Sequence, residues 1–181
     1  MLFRSKAVYN AVYTLAARGI VKGYGSYFDS DATCTRAQFV LFLWRFAGKP
    51  KPKSTTLPFS DKSTILKLSK EYRDAIMWGS ETGIVKGFSS GVKKGKFMPN
   101  DPCTRGQVVL FLWRYKGHPA PRKKTLTFKD AEQISSMAPE YTKAILWASE
   151  QKITTGYSDG TFKPRRNCRR GECVTFLYRM L

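Results

Sequence analysis

The chain repeats itself three times, and that self-similarity restricts its architecture more than any other property. Three segments stand in register: Cys34-Thr35-Arg36-Ala37-Gln38, Cys103-Thr104-Arg105-Gly106-Gln107 and Cys168-Arg169-Arg170-Gly171-Glu172. Each leads into an apolar run that ends Leu43-Trp44-Arg45, Leu112-Trp113-Arg114 or Leu177-Tyr178-Arg179. A second element, Ala11 to Tyr24, aligns with Ala75 to Phe88 and with Ala144 to Tyr157. From Cys34 to Gly87, and again from Cys103 to Gly156, the interval is 53 residues. Chance does not produce that. The copies divide at about 1–50, 51–120 and 121–181. Copies two and three open with Phe59-Ser60-Asp61 and Phe128-Lys129-Asp130, and copy one has no counterpart, so its start reads as incomplete.

Each copy reads as helix, loop, helix, and the whole as an all-α module. In copy two the first helix is expected over Glu71 to Thr82, with Tyr72, Ala75, Ile76 and Gly79 on one stripe. Gly83 is placed to end it in the left-handed conformation. In copy three Pro139 suits a first helical position, and Lys152 stands where the capping glycine should be. The second helix opens with a capping box, Thr35 with Gln38 and Thr104 with Gln107. Copy three has Arg169 in place of the threonine, which forfeits a cap worth about 1 kcal/mol. Phe39, Phe42, Leu43 and Phe46 then form an i, i+3, i+4, i+7 face, repeated by Val108, Phe111, Leu112 and Tyr115. Helices of this length cannot hold such faces alone. The expected solution packs the three second helices into a central pseudo-threefold bundle with the first helices outside. The joins 48–58 and 117–124, rich in Pro and Lys, read as extended linkers. Ser89 to Lys96 reads as an exposed insertion.

Charge speaks to partners rather than fold. The chain carries 32 Lys+Arg against 13 Asp+Glu, a formal net charge of +19. Solubility alone needs only about 2–8 charges in a small domain. A polyanionic partner is therefore expected: an acidic wall polymer, an anionic lipid or a nucleic acid. No apolar run approaches the ~20 residues that span a bilayer. No secretory signal is visible ahead of the first amphipathic segment.

Gly156-Tyr157-Ser158-Asp159-Gly160-Thr161-Phe162-Lys163-Pro164, followed by the Thr-Arg-Ala-Glu-like helix starts at Thr35 and Thr104, resembles the S-layer homology (SLH) family. The resemblance runs through all three copies, from about Ala7 to Leu181. It implies a monomeric pseudo-trimer that anchors exported proteins to secondary cell-wall polysaccharide, often pyruvylated, at the surface of a bacterium. It further implies ligand in grooves between neighbouring repeats, with the motif arginine important. Here those arginines are Arg36, Arg105 and Arg170. Trp78 and Trp147, Asp61 and Asp130, and Gly87 and Gly156 complete the candidate ligand set. The family's acidic position is Gln38, Gln107 and Glu172 here, so one carboxylate of three remains.

The chemistry fits that implication. An arginine in the first turn of a helix stands near backbone N–H groups and the positive end of the dipole, both of which favour an anion. Its planar fork matches a carboxylate such as that of a pyruvate ketal. The basic blocks around Lys93, Arg122 and Arg165 also suit weak, salt-dependent nucleic-acid binding, although no base-reading motif is present. A protein–protein interaction module is a third reading. An enzyme is not expected: the single histidine, His118, lies in a linker, and no nucleophile motif or phosphate loop occurs. No cofactor or metal is expected either, because the four cysteines lack ligand spacing. Cys34, Cys103 and Cys168 precede helix caps, where an apolar residue packs on the fourth helical position. A Cys168–Cys173 disulfide is sterically conceivable, but buried thiols are the expectation.

Overall fold

The computed structural model describes residues 6–25 and 27–181. Among these residues the regular structure is eight α-helices and one 3₁₀ turn, joined by loops that form only isolated β-bridges. The first helices of the three copies are α1 (Lys6–Ala17), α4 (Lys70–Glu81) and α7 (Pro139–Glu150). The second helices are α2 (Arg36–Phe46), α5 (Arg105–Tyr115) and α8 (Arg170–Tyr178). Two five-residue helices, α3 (Lys62–Leu66) and α6 (Ala131–Ser135), follow the Phe-x-Asp openings of copies two and three. Periodicity does not reveal segments that short.

Local chemistry sets the helix ends as the residues require. Thr35 Oγ1 accepts from Gln38 N while Gln38 Oε1 accepts from Thr35 N, and Thr104 and Gln107 repeat the exchange. At α8 only half of the box survives. Arg169 N donates to Glu172 Oε2 at 2.9 Å, and a guanidinium has no acceptor to return. Gly83 adopts φ +72° after α4, and Gly19 adopts φ +69° after α1. Lys152 is held at φ +56° in the same role after α7. A side chain there costs roughly 1 kcal/mol. Lys152→Gly is therefore expected to raise stability by about 1 kcal/mol, read as a higher urea midpoint at unchanged slope.

The three second helices meet at the centre. Phe39 stacks on Phe111 with centroids 6.2 Å apart, and α8 packs on both α2 and α5. At the start of these helices the backbones close a ring. Cys103 N donates to Cys34 O, Cys168 N to Cys103 O and Cys34 N to Cys168 O, at 2.8, 2.8 and 2.9 Å. All four cysteines are buried and free. Burial, reinforced by hydrogen bonding with Cys168 and Cys34, pushes the Cys173 thiol well above its usual range. Burial likewise raises Cys103. These thiols pack as small apolar groups.

The outer helices are distributed differently from the reading of each copy as a self-contained pair. α2 packs on α4, α5 on α7, and α8 on α1, so every second helix is covered by the first helix of the following copy. The linkers enforce this. Trp44 Nε1 donates to Pro50 O and Trp113 Nε1 to Pro119 O, at 2.9 and 2.8 Å. Glu81 accepts from Lys53 N and Ser54 N, and Glu150 accepts from Arg122 N and Lys123 N. Each join is pinned at both ends rather than extended by repulsion. A single hydrophobic core runs through all three copies.

Candidate functional site: grooves between repeats

Arg36, Arg105 and Arg170 occupy equivalent places and are nearly inaccessible, at 3%, 3% and 2% exposure. Each reaches into the next copy. Arg36 Nε donates to Phe97 O at 2.8 Å, Arg105 Nε to Phe162 O at 2.9 Å and Arg170 Nε to Phe28 O at 3.2 Å. Three aromatic rings surround each guanidinium. For Arg36 they are Phe88, Phe97 and Phe111 at 4.7–5.4 Å. For Arg105 they are Tyr157, Phe162 and Phe176 at 4.3–5.1 Å, and for Arg170 they are Tyr24, Phe28 and Phe42 at 4.5–5.5 Å. A desolvated cation over ring faces gains about 2 kcal/mol or more per favourable contact. Burial pulls the Arg36 guanidinium somewhat below its usual range, which leaves it charged at neutral pH. These side chains tie copy to copy; Arg36 and Arg105 also wall the two grooves described next, whereas Arg170 lines neither of them.

Two grooves of about 200 Å³ open at equivalent interfaces. Arg36, Lys86, Phe88, Gln107, Arg114 and Tyr141 shape the first. Arg105, Thr155, Tyr157, Glu172, Phe176 and Arg179 shape the second, which α1 closes on one side. Their charge balance differs. In the first, Glu140 pairs with Arg114 and, at 3.5 Å, with Lys86, whereas Arg36 has no carboxylate partner among the described residues. Arg36 Nε and Nη2 are spent on carbonyls, the second at 3.5 Å from Lys86 O, and Nη1 has no acceptor among the described residues. In the second, Glu172 takes Arg105 at 3.2 Å, Arg166 at 2.9 Å and the Tyr157 hydroxyl at 2.7 Å. Burial opposes its ionisation, but those donors and Arg169 N hold its carboxyl below the usual range. Burial and donation to Glu172 push the Tyr157 hydroxyl up to about 12. Ala7 stands where the other first helices carry Glu71 and Glu140, so among the described residues Arg179 has no carboxylate partner, and it donates to Ile153 O at 3.0 Å. Among the described residues, each groove thus retains one guanidinium uncompensated by a carboxylate.

The other expected site residues fall in varied places. Gly87 and Gly156 line the first and second grooves. Asp61 and Asp130 are loop clamps: Asp61 accepts from Phe97 N and Met98 N, and Asp130 from Phe162 N and Lys163 N, at 2.7–2.8 Å. Trp78 and Trp147 are 6% exposed and border neither groove; Trp78 lies edge-on to Tyr115. The backbone donors expected beside the arginines are taken. Arg36 N donates to Asp101 O, Arg105 N to Arg166 O and Arg170 N to Ala32 O. Repeat-to-repeat pairing has used them. Sequence reasoning passed over Arg114 and Arg179 as groove residues, although Arg45, Arg114 and Arg179 recur at the end of each Leu-aromatic-Arg motif. Among the described residues no His, Cys, Asp and Glu cluster is arranged to hold a metal, and no helix is long and apolar enough to cross a membrane.

Three tandem helical repeats joined in a ring around a triple-helical centre, with basic grooves at their interfaces, define a class of repeat module. Residues 4–40, 58–109 and 127–172 each match the S-layer homology domain. The chain belongs to the S-layer homology family. It is similar to a cellulosome-anchoring protein of Acetivibrio thermocellus, 30% identical over 122 residues, covering 66% of this chain and 26% of that protein. It is also similar to an endoglucanase of Bacillus sp. strain KSM-635, 27% identical over 158 residues, covering 85% of this chain and 15% of the enzyme. A third relative is cell surface glycoprotein 1 of A. thermocellus, 28% identical over 180 residues, with 91% of this chain and 7% of the glycoprotein aligned. The match spans at most about a quarter of each relative's length.

Proposed function

We propose that the chain is a non-catalytic anchoring module that holds a protein at the bacterial cell surface by binding an acidic, pyruvylated secondary cell-wall polysaccharide. The observation that carries this reading is Arg36. Its guanidinium is desolvated and ringed by aromatic faces, and among the described residues it has no carboxylate partner and keeps an unused Nη1 donor at the wall of a groove. A charged Nη1 donor of that kind suits an oxygen of a ketal carboxylate, and the Phe88 and Tyr141 side chains line the same groove beside it. Lys86 adds a second cation at the rim. The anchoring name of one relative and the surface name of another support the same reading. Arg105 and Arg170 serve the equivalent interfaces.

The test is retention on purified bacterial sacculi before and after removal of the secondary polysaccharide. Retention is expected only while the polysaccharide is present. Lys86 is exposed, so Lys86→Glu leaves the fold intact and is expected to weaken retention about tenfold, ~1.4 kcal/mol. Equal capture by DNA, fading steeply with salt, is the result that favours a nucleic-acid partner instead.

A further inference from the structure

The two grooves share one plan but differ in three groups around the motif arginine. In the second groove Arg105 Nη1 donates to Glu172 Oε1 at 3.2 Å. The same oxygen accepts from the Tyr157 hydroxyl at 2.7 Å and from Arg166 Nη1 at 2.9 Å. In the register of the copies, Gln107, Phe88 and Asp101 stand at these places around the first groove. Each exchange removes one member of the cluster. The carboxylate becomes an amide and the phenol loses its hydroxyl. The guanidinium becomes a carboxylate, which Lys93 Nζ holds at 2.5 Å.

The helix cap explains how one position serves both ends. Gln107 spends Oε1 on Thr104 N at 3.1 Å, so only its Nε2 donors remain for the groove it lines. Glu172 meets the same demand with Oε2, which accepts from Arg169 N at 2.9 Å, and still presents Oε1 to Arg105. Arg36 Nη1, the counterpart of the atom that Glu172 satisfies, has no acceptor among the described residues. A further carboxylate brought to Arg105 would have to share its cation with Glu172, and like charges at that separation repel.

We infer that the third residue of each second helix decides whether the motif arginine facing it takes a carboxylate from outside. Gln107 leaves Arg36 open to one, whereas Glu172 fills the same place in the second groove with the chain's own carboxylate and excludes it. This assignment rests on the polysaccharide reading and deepens it: of the two grooves, the first grips the ketal acid through its motif arginine and the second does not.

Site-resolved titration tests it. Arg36 Nε and Arg105 Nε are buried and bonded to carbonyls, so their nitrogen–proton cross-peaks are shielded from exchange with water and report each groove separately. The probe is a methyl pyranoside carrying a cyclic pyruvate ketal, added to the 181-residue chain. In the parent chain the Arg36 peak is expected to move and the Arg105 peak to stay. Glu172→Gln should make the Arg105 peak respond as Arg36 does, and Gln107→Glu should weaken the Arg36 response at least about tenfold. Both exchanges keep the cap, because each residue type already accepts the N-cap amide in this chain. An Arg105 peak that responds in the parent chain, or stays silent in Glu172→Gln, overturns the inference and leaves the polysaccharide reading standing. An undiminished Arg36 response in Gln107→Glu does the same. A probe that moves neither peak in any of the three chains overturns the polysaccharide reading, and this assignment with it.

Discussion

Arg105→Ala is expected to lower the free energy of unfolding by about 3–5 kcal/mol, more than most single substitutions. The guanidinium is 3% exposed and joins copy two to copy three through Phe162 O and Glu172. Its removal leaves a buried carbonyl without a donor, which costs about 1–3 kcal/mol by itself. It also empties the space between the rings of Tyr157, Phe162 and Phe176 and leaves Glu172 with fewer cations. Arg105→Lys keeps the charge but loses the planar stack and the Nε contact, so it should recover only part of the loss. Urea unfolding of the two variants beside the parent chain checks both statements. A loss below about 1 kcal/mol for the alanine variant would mean that the side chain behaves as an ordinary surface arginine.

Phe111→Ala should cost a comparable amount, about 3–5 kcal/mol. Phe111 is 2% exposed, stacks on Phe39 and lies 5.4 Å beneath the Arg36 guanidinium. One ring therefore serves the contact between central helices and the floor of a cation site. A cavity there cannot collapse easily, because α2 and α8 are held against α5 by the cysteine backbone ring and by their own outer helices. Thermal melting should show a drop of about 6–20 °C for a chain of this length. Glycan retention at a temperature well below that melt should fall as well, since Phe111 lines the first groove.

Much of this fold was legible in the residues. The register of the three copies, the capping boxes at Thr35 and Thr104, the proline start of α7 and the strained Lys152 all follow from chemistry within a few positions along the chain. The cross-copy pairing of helices was not legible. Periodicity at Phe39, Phe42, Leu43 and Phe46 reports that a face must be covered, not which helix covers it. Asp61 shows the same limit. Its recurrence as Asp130 marked both as ligand candidates, but the amides they clamp lie 36 and 32 positions away or more. Burial of the arginines was hidden for a related reason. Guanidinium groups in a helical first turn read as solvent-facing until a neighbouring copy supplies carbonyls and rings around them. The groove arginines Arg114 and Arg179 were hidden by their setting, since each ends an apolar run whose evident purpose is packing.

The seating of α1 against α8 makes the array circular, and this separates it from open stacked-repeat proteins. In an open stack the terminal units have one neighbour each and fray before the middle does. Here no unit is terminal: Arg170 donates to Lys22 O across 148 positions, and the last helix finishes against the first. Loosening any one interface leaves two interfaces that cannot close a circle. The three units must therefore gain and lose their structure together, and a grip that depends on all of them has no half-released state.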